Sequence, residues 1–502
     1  MLLARLFSVL AKLISNGHQS GNFFVTANVL HCALYCELLG NFMFRKTLFV
    51  ITAMSIMLLN GCMSTTKKTR HEPTPYVQVT SPEWLKTASI YQINTRQFTP
   101  EGTFLAATQQ LPRLKALGVK VLWLMPIHPI GEQNRKGLLG SPYSIKDYFD
   151  VSAELGTLDD FKQFVDQAHQ LGLYVILDWV ANHTAWDNDM RLNNPDWYVK
   201  DHKGDFTPTP WYDWDDIIDL DFNQKAVREY MSSAMQFWVK DIGVDGFRCD
   251  AAGLVPLQFW QDVRAELDEI KPVFMLAEWE GRDFHANAFD ASYAWSWWEG
   301  MHNIAKGEAD LGALYAYYSW NTGYYPQGLM RLTYISNHDS NAWEATQFEA
   351  FGDALESAIV LSVIGEGIPM IYNGQEAGNT KRLAFFERDP IEWQAHPIGQ
   401  LYQKLFALKK ENSVLWNGKW GAPMIPVANN NNKHVLSFVR QNDTDKVFAV
   451  FNMSAKPQTV TLAPDTLYAG QYQDFFAQQQ VTIKSNSTFE LAPWQFHIYL
   501  KK

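Results

Sequence analysis

Cysteine is scarce in this chain, with four residues among 502. The disulfide frameworks of small secreted domains need more cysteines than this, and Cys62 and Cys249 have no obvious partner in the sequence. Cys32 and Cys36 lie close together, but no second cysteine pair or histidine cluster accompanies them. The sequence therefore predicts neither a disulfide framework nor a cysteine metal site.

Positive charge is also in short supply. Lysine and arginine together number 42 against 53 aspartates and glutamates, so the formal net charge is −11. An acidic surface argues against nucleic acid as a partner and fits a neutral substrate. Hydrophobic residues make up 47% of the chain and charged residues 19%, which is typical of a globular enzyme with a large core. The length suffices for about three domains, and no internal repeats are visible.

The N-terminal region lacks an apolar run long enough to span a bilayer. About a dozen apolar residues separate the basic pair Arg45 and Lys46 from Cys62, whereas a spanning helix needs roughly 20. A positive start followed by a short apolar core predicts an export signal. Its ending, residues 59–62, resembles a bacterial lipoprotein signal, in which Cys62 receives lipid and becomes the mature N-terminus. An ordinary secretory signal with a chance cysteine is the alternative.

The position of Met43, directly before the basic pair, suggests where translation begins. We interpret residues 1–42 as an extension upstream of the true start, with a long atypical leader as the alternative. Residues 43–61 are then the signal peptide, and residues 62–85 the lipidated cysteine and a polar tether. Residue 63 is Met and not Asp, the residue that favours inner-membrane retention in Gram-negative bacteria. We expect an exported protein, lipid-anchored at the cell envelope on the outer membrane.

From Ser89 onward, short β-rich runs alternate with amphipathic segments. Such alternation predicts parallel strands joined by crossover helices. The strand candidates are residues 90–93, 121–125, 175–179, 246–248, 273–277, 289–294, 332–335 and 370–372. Eight strand–helix units predict a (β/α)8 TIM barrel, which we assign to residues 86–410.

Two regions depart from this alternation. Residues 184–221, after the third strand, are rich in Trp, Asp, Pro and Gly, and they predict a short inserted subdomain beside the active-site end. From residue 411 the pattern changes to alternating strands, such as residues 435–440 and 447–452 with a turn between them. This part, residues 411–502, is predicted to be a C-terminal antiparallel β-sandwich domain.

Four short segments place chemically active residues at the ends of predicted strands. They are residues 178–183, 246–250, 277–278 and 337–339. Active sites of such barrels lie at the C-terminal ends of the strands. Asp250 and Glu278 follow the neighbouring fourth and fifth strands, and a carboxylate pair ~5 Å apart is the arrangement of retaining glycosidases. The residues therefore predict cleavage of a glycosidic bond with retention of configuration.

Taken in this order, the segments resemble glycoside hydrolase family 13, the α-amylase family, from about residue 86 to the C-terminus. Residues 118–126 resemble the family's second strand and residues 367–374 its eighth. The resemblance implies that Asp250 is the nucleophile and Glu278 the general acid and then base. It also implies that Asp339 binds sugar hydroxyls at the reacting ring and stabilises the transition state.

The resemblance further implies a set of substrate-binding residues. His183 and His338 would hydrogen-bond the reacting ring, and Tyr143 matches the family's stacking tyrosine. Arg248 precedes Asp250 by two residues on the same strand face, so its positive charge is expected to keep Asp250 ionised. Asp178 is expected to support the site. Further stacking candidates are Trp211, Trp214 and Trp279, and Cys249, on the opposite face of its strand, is expected to be a packing residue.

The departures from typical α-amylases concern the leaving-group side and calcium. Many members carry Lys-His shortly after the nucleophile, where this chain has Gly253 and Leu254. Contacts to the leaving group must therefore differ, which leaves room for an enzyme of maltodextrins. Asn182 matches a family calcium ligand, and hard oxygen ligands suit calcium, but the second calcium loop is missing from residues 94–103. No cofactor is required for the chemistry, and a structural calcium at Asn182 stays open.

The prediction is thus a retaining α-glucan hydrolase that cleaves α-1,4-glucosidic bonds of starch-derived oligosaccharides, with a membrane contact through its lipid anchor and no nucleic-acid partner. A glucanotransferase, a cyclomaltodextrinase or an α-glucosidase would share the same triad. A non-catalytic glucan-binding lipoprotein is an alternative of another class, but such a protein would usually lack one of the three carboxylates.

Overall fold

The computed structural model describes residues 78–326 and 328–501. Residues 1–77 contain the predicted signal, Cys62 and most of the tether, so the predictions made for them lie outside the described residues. Within residues 78–326 and 328–501, no helix has the length and apolarity that a membrane span requires.

Eight parallel strands close into a barrel, in the order β1-β10-β9-β8-β7-β6-β3-β2. The strands of the described chain are β1 (Ile90–Ile93), β2 (Val121–Leu124), β3 (Tyr174–Trp179), β4 (His183–Ala185), β5 (Ile217–Asp219), β6 (Gly246–Cys249), β7 (Phe274–Ala277), β8 (Ala291–Tyr293), β9 (Met330–Tyr334), β10 (Ile368–Tyr372), β11 (Ile425–Pro426), β12 (Val435–Gln441), β13 (Lys446–Asn452), β14 (Gln458–Thr461), β15 (Gly470–Asp474), β16 (Gln480–Ile483), β17 (Thr488–Leu491) and β18 (Phe496–Lys501). The predicted barrel is confirmed, and all eight predicted strands are present.

Helices fill the connections between the strands and form the outer layer. They are α1 (Thr95–Phe98), α2 (Phe104–Gln109), α3 (Leu111–Leu117), α4 (Leu158–Gln170), α5 (Asp189–Asn193), α6 (Lys225–Phe237), α7 (Leu257–Ile270), α8 (Phe284–Asn287), α9 (Trp295–Lys306), α10 (Gly312–Gly323), α11 (Gln347–Phe351), α12 (Leu355–Ile364) and α13 (Pro397–Glu411). Strand side chains pack on both faces, which is why the strands read as continuous apolar runs. Trp123 and Phe274 lie in the inner core, and Leu122 and Phe247 lie in the outer one.

Helix α4 shows how the sequence sets an element's limits. Thr157 Oγ1 accepts a hydrogen bond from the Asp160 backbone N–H at 3.1 Å, and Asp160 Oδ2 accepts one from the Thr157 N–H at 2.9 Å. This capping box starts the helix at Leu158. Helix α6 is followed by a π-helical turn, Trp238–Ile242, which ends at Gly243 with φ 95°.

The insertion after the third barrel strand contains an antiparallel pair of strands, β4 and β5, with α5 between them. The C-terminal part holds a six-stranded antiparallel sheet, in the order β11-β12-β13-β18-β15-β16, and a two-stranded sheet of β14 and β17. Side chains of both sheets, such as Phe448 and Val460, share one core, as a sandwich requires. Arg440 joins this domain to the barrel, because its Nη1 donates to the carbonyls of Ile364 and Gly365 at 2.9 and 2.6 Å.

Candidate active site

Asp250 and Glu278 emerge side by side from neighbouring barrel strands. The Asp250 N–H donates to the Trp179 carbonyl at 2.9 Å, and the Glu278 N–H donates to the Cys249 carbonyl at 3.0 Å. These bonds continue the parallel ladder one residue beyond β6 and β7, so both carboxylates leave the barrel at the same end. Asp339 follows β9 at that end, and its side chain is 46% exposed. The carboxylate of Asp339 is therefore exposed enough to accept hydrogen bonds from sugar hydroxyls, whereas those of Asp250 and Glu278 are mostly buried.

Arg248 is the central cation of the site and is fully buried. Its Nη1 lies 2.7 Å from Asp178 Oδ1 and 2.9 Å from Asp250 Oδ1, and its Nη2 forms an ion pair with Glu278. The guanidinium also lies over the Trp123 ring at 5.1 Å. The planar guanidinium of Arg248 thus holds Asp250 and Glu278, the two predicted reacting carboxylates, together with Asp178.

Burial dominates the protonation of these carboxyl groups. It raises the pKa of Asp250 to about 7 and that of Glu278 to about 8, while the charge of Arg248 opposes both shifts. The prediction that Arg248 keeps Asp250 ionised is therefore right about the direction of its effect, but burial outweighs it. Burial thus favours the protonated form of Glu278, which is the form that a general acid needs.

A hydrogen-bond relay connects Tyr143 and His338 to the site. Gln92 Nε2 lies 2.8 Å from His338 Nδ1, His338 Nε2 lies 2.7 Å from the Tyr143 hydroxyl, and that hydroxyl donates to Asp178 Oδ2 at 3.0 Å. Each of these three hydrogen bonds has one donor and one acceptor when His338 is neutral and carries its proton on Nε2. We therefore assign this tautomer to His338. Burial lowers the pKa of His338 to about 4, consistent with the neutral ring.

Gln92 is a residue that the sequence reasoning missed. It lies in the apolar strand β1 and is fully buried, and a polar side chain in such a run is a signal that could have revealed it. Because Gln92 fixes the tautomer of His338, it positions that ring.

His183 reaches the same end of the barrel on β4. Burial lowers its pKa to about 4, so the ring is neutral, and it lies 5.8 Å from the Trp214 ring. Trp214 stacks on Tyr212 at 4.2 Å, and Trp211, with φ 72°, is fully exposed. The predicted substrate residues Tyr143, His183, Arg248 and His338 are therefore gathered around the carboxylates, whereas Trp211 projects into solvent. Cys249 is buried, as predicted.

Trp279 lies against Gly253, at the position where the family resemblance implies contacts to the leaving group. A Cβ atom added at Gly253 would lie 2.2 Å from Trp279 Cδ2, so the indole rests directly on the glycine backbone. Trp295 packs against Trp279 edge to face, with ring centroids 6.3 Å apart. This side thus presents an aromatic surface in place of the family's Lys-His pair.

The residues around Asn182 do not fit calcium. Asn182 turns its amide nitrogen to Asp219 Oδ1 and to Thr209 Oγ1, at 3.1 Å each. Calcium takes six to eight oxygen ligands, and the side-chain oxygens in contact with the Asn182 amide are two, Asp219 Oδ1 and Thr209 Oγ1. No cluster of three or more His, Cys, Asp or Glu side chains within 78–326 and 328–501 could hold a metal ion.

The acidic group of the insertion already has a cation of its own. Lys136 Nζ lies 3.1 Å from Asp215 Oδ1 and 3.7 Å from Asp216 Oδ1, and it also contacts the Asp213 carbonyl. The carboxylates of Asp215 and Asp216 are therefore balanced by the charge of Lys136.

Known proteins share both parts of this architecture. The α-amylase catalytic-domain family model matches residues 86–397, and that of the maltogenic amylase C-terminal domain matches residues 426–498. Alpha-amylase MalA of Haloarcula japonica is 28% identical over 432 residues, which cover 81% of this chain and 62% of that protein. The chain thus spans less than two thirds of that relative's length. The maltogenic alpha-amylase of Bacillus acidopullulyticus is 24% identical over 467 residues, covering 83% of this chain and 78% of that protein.

Solved structures agree with the sequence relatives. AmyB, a maltogenic alpha-amylase from Thermotoga neapolitana, superposes with a TM-score of 0.75 at 30% identity, covering 83% of this chain and 99% of that one. An alpha-amylase from Lactobacillus plantarum superposes with a TM-score of 0.73 at 28% identity, covering 83% and 99%. The matched family model spans more than half of the chain, and its range includes Asp250, Glu278 and Asp339. This chain belongs to the α-amylase family, glycoside hydrolase family 13.

Proposed function

We propose that this enzyme hydrolyses α-1,4-glucosidic bonds of starch-derived oligosaccharides by double displacement. The observation that carries the proposal is the pair Asp250 and Glu278, which leave neighbouring strands at the same end of the barrel and share one guanidinium, that of Arg248. Two carboxyl groups in this relation divide the chemistry into attack on the anomeric carbon and protonation of the leaving oxygen.

In the first displacement, Asp250 Oδ attacks the anomeric carbon while Glu278 gives its proton to the glycosidic oxygen, and the leaving sugar departs. In the second, the Glu278 carboxylate takes a proton from water, whose oxygen attacks the same carbon and releases Asp250. Asp339 accepts hydrogen bonds from hydroxyls of the reacting ring, and neutral His183 and His338 hydrogen-bond the same ring. Arg248 holds the two reacting carboxylates in place throughout.

The leaving-group side supports a preference for short maltodextrins. Trp279, seated on Gly253 beside the general acid, offers a flat apolar surface on which the departing glucose ring can stack. The same surface could hold an acceptor sugar in place of water, so a glucanotransferase or a cyclomaltodextrinase is the second candidate. Relatives named cyclomaltodextrinase and cyclomaltodextrin glucanotransferase match with identities of 25% and 24%.

The test is incubation of the chain from residue 63 onward with maltoheptaose, with products followed by chromatography and proton NMR. We expect shorter maltodextrins only, with the α-anomer of the new reducing end appearing first. Products longer than the substrate would move the assignment to a transferase. Initial β-anomers would contradict double displacement, and binding without turnover would indicate a non-catalytic glucan-binding protein.

We also propose that the enzyme is exported and anchored by lipid on Cys62, at the outer membrane of a Gram-negative bacterium. Support comes from the sequence alone: the basic pair, the short apolar run and the ending at Cys62. In cells fed radiolabelled palmitate, the wild-type chain should take up label and fractionate with membranes, whereas a Cys62→Ser variant should do neither. Cys249→Ser is the matched control, and equal labelling of the two variants would refute the anchor.

A further inference from the structure

Four aromatic side chains lead outward from the reacting centre. Tyr143 stacks parallel to Phe385 with ring centroids 6.1 Å apart, Phe385 contacts Trp343 at 5.1 Å, and Trp343 contacts Phe386 at 5.7 Å. These four residues are called the aromatic strip below. The exposed fraction rises along it, because Tyr143 and Phe385 are partly buried whereas Trp343 is 56% exposed. A ligand can therefore contact the aromatic strip at its exposed end, Trp343.

The strip begins at the residues that share Arg248 Nη1 with the nucleophile, because Asp178 and Asp250 both pair with that nitrogen whereas Glu278 pairs with Nη2. Its inner end, Tyr143, bonds Asp178 and His338. Glu278 instead accepts a bond from the Ala251 N–H at 2.7 Å, beside Gly253 and Trp279. Because the leaving sugar departs past the general acid, the strip lies along the part of the chain that stays attached to the nucleophile.

A buried arginine holds the two loops that form the strip's outer wall. Arg96 Nη1 donates to the carbonyls of Gly140 and Phe385 at 3.1 and 3.4 Å, and its Nη2 lies 2.7 Å from Glu154 Oε1. The Leu139 N–H also donates to the Phe386 carbonyl at 3.1 Å. The loop after β2 and the loop after β10 are thus fixed to each other before any ligand arrives, which lowers the entropy cost of binding.

We propose that Phe385 and Trp343 form binding subsites for the second and third glucose rings on the non-leaving side of the cut. The proposal rests on the α-glucan activity proposed above. A glucose ring has apolar C–H faces that pack on aromatic rings, and Phe385 lies nearly parallel to Tyr143, with an angle of 15° between the rings. Trp343 lies in the π-helical turn Ser340–Glu344, directly after Asp339, so its position is tied to that carboxylate. The strip therefore determines how many rings lie beyond the bond that is cut, and hence the product length.

The experiment compares Trp343→Ala with Trp320→Ala, using maltoheptaose labelled at its reducing end. Trp320 is the matched control, since it is 59% exposed and lies on α10 outside the strip. Trp343→Ala should lower kcat/KM about 10-fold, the factor that ~1.4 kcal/mol of lost binding produces, and should shift the preferred cut toward the non-reducing end. Trp320→Ala should change neither, and Trp343→Phe should restore most of the wild-type pattern.

Binding of maltoheptaose, measured by calorimetry, separates the two proposals. A wild-type protein that binds but does not cleave would refute the proposed function, and weaker binding by Trp343→Ala alone would still support the strip. If Trp343→Ala and Trp320→Ala match in affinity and in cut position, the subsite assignment is wrong.

Discussion

An Asp250→Asn variant is expected to lose maltodextrin turnover by roughly 10⁴-fold or more, because double displacement has no second nucleophile. Asparagine has nearly the volume of aspartate, so the packing around Arg248 should persist. The carboxamide carries no charge, however, and cannot form the covalent intermediate. Steady-state kinetics on maltoheptaose and calorimetric binding should show lost kcat with a dissociation constant within a few-fold of the wild-type value.

Asp241→Asn serves as the control for this substitution, since Asp241 is exposed and precedes β6, whereas Asp250 follows the opposite end of that strand. It should retain full activity. Normal turnover by Asp250→Asn would show that another group attacks the anomeric carbon. Loss of binding together with turnover would mean that the substitution has disturbed the site as a whole.

The second large effect is expected for Arg248→Met, which removes the cation that pairs with three buried carboxyl groups. Breaking a buried ion pair from one side costs roughly 3–5 kcal/mol of unfolding free energy, and activity should vanish with it. Arg382→Met is the control: Arg382 pairs with Glu349 at 3.1 Å on the surface, with 46% of its side chain exposed. An exposed pair contributes at most about 1 kcal/mol.

The stability lost in Arg248→Met should depend on pH, because Arg248 pairs with carboxyl groups whose pKa values are shifted. Burial raises the pKa of Asp178 and Asp250 to about 7 in the folded enzyme, against ~4 for an unfolded carboxyl group. When the pKa of a carboxyl group is higher in the folded than in the unfolded state, the folded state binds the proton more tightly. The free energy of unfolding therefore falls as the pH rises from ~4, the unfolded pKa, to the folded pKa. Without Arg248 the folded pKa values rise further. The Tm deficit of Arg248→Met should therefore be larger at pH 8 than at pH 5, and a pH-independent deficit would contradict the role assigned to its charge.

The barrel and the positions of Asp250 and Glu278 at its strand ends could be predicted because their signals are local. Strands buried on both faces read as apolar runs, and Asp250 and Glu278 each directly follow such a run. The first and last residues of the strands were predicted less accurately than their existence. The strand predicted over 289–294 is Ala291–Tyr293, because the Phe289 N–H donates to the Phe284 carbonyl and closes the preceding turn before the strand begins.

Contacts between segments that are distant in the sequence could not be predicted from the sequence. The relay from Gln92 through His338 to Tyr143 joins three loops or strands, and no local pattern encodes it. The same holds for Lys136, whose ammonium group balances acidic residues of the insertion far along the chain. The family resemblance suggested a calcium ligand at Asn182 from residue type alone, whereas the fold determines that Asp219 and Thr209 are its neighbours.

The close approach of Trp279 to Gly253 ties these two positions to each other. Even a methyl group at position 253 would lie 2.2 Å from the indole, so any larger residue there requires the indole to move. Substitutions at the two positions should therefore have non-additive effects on the free energy of unfolding, and a double-mutant cycle would measure their interaction.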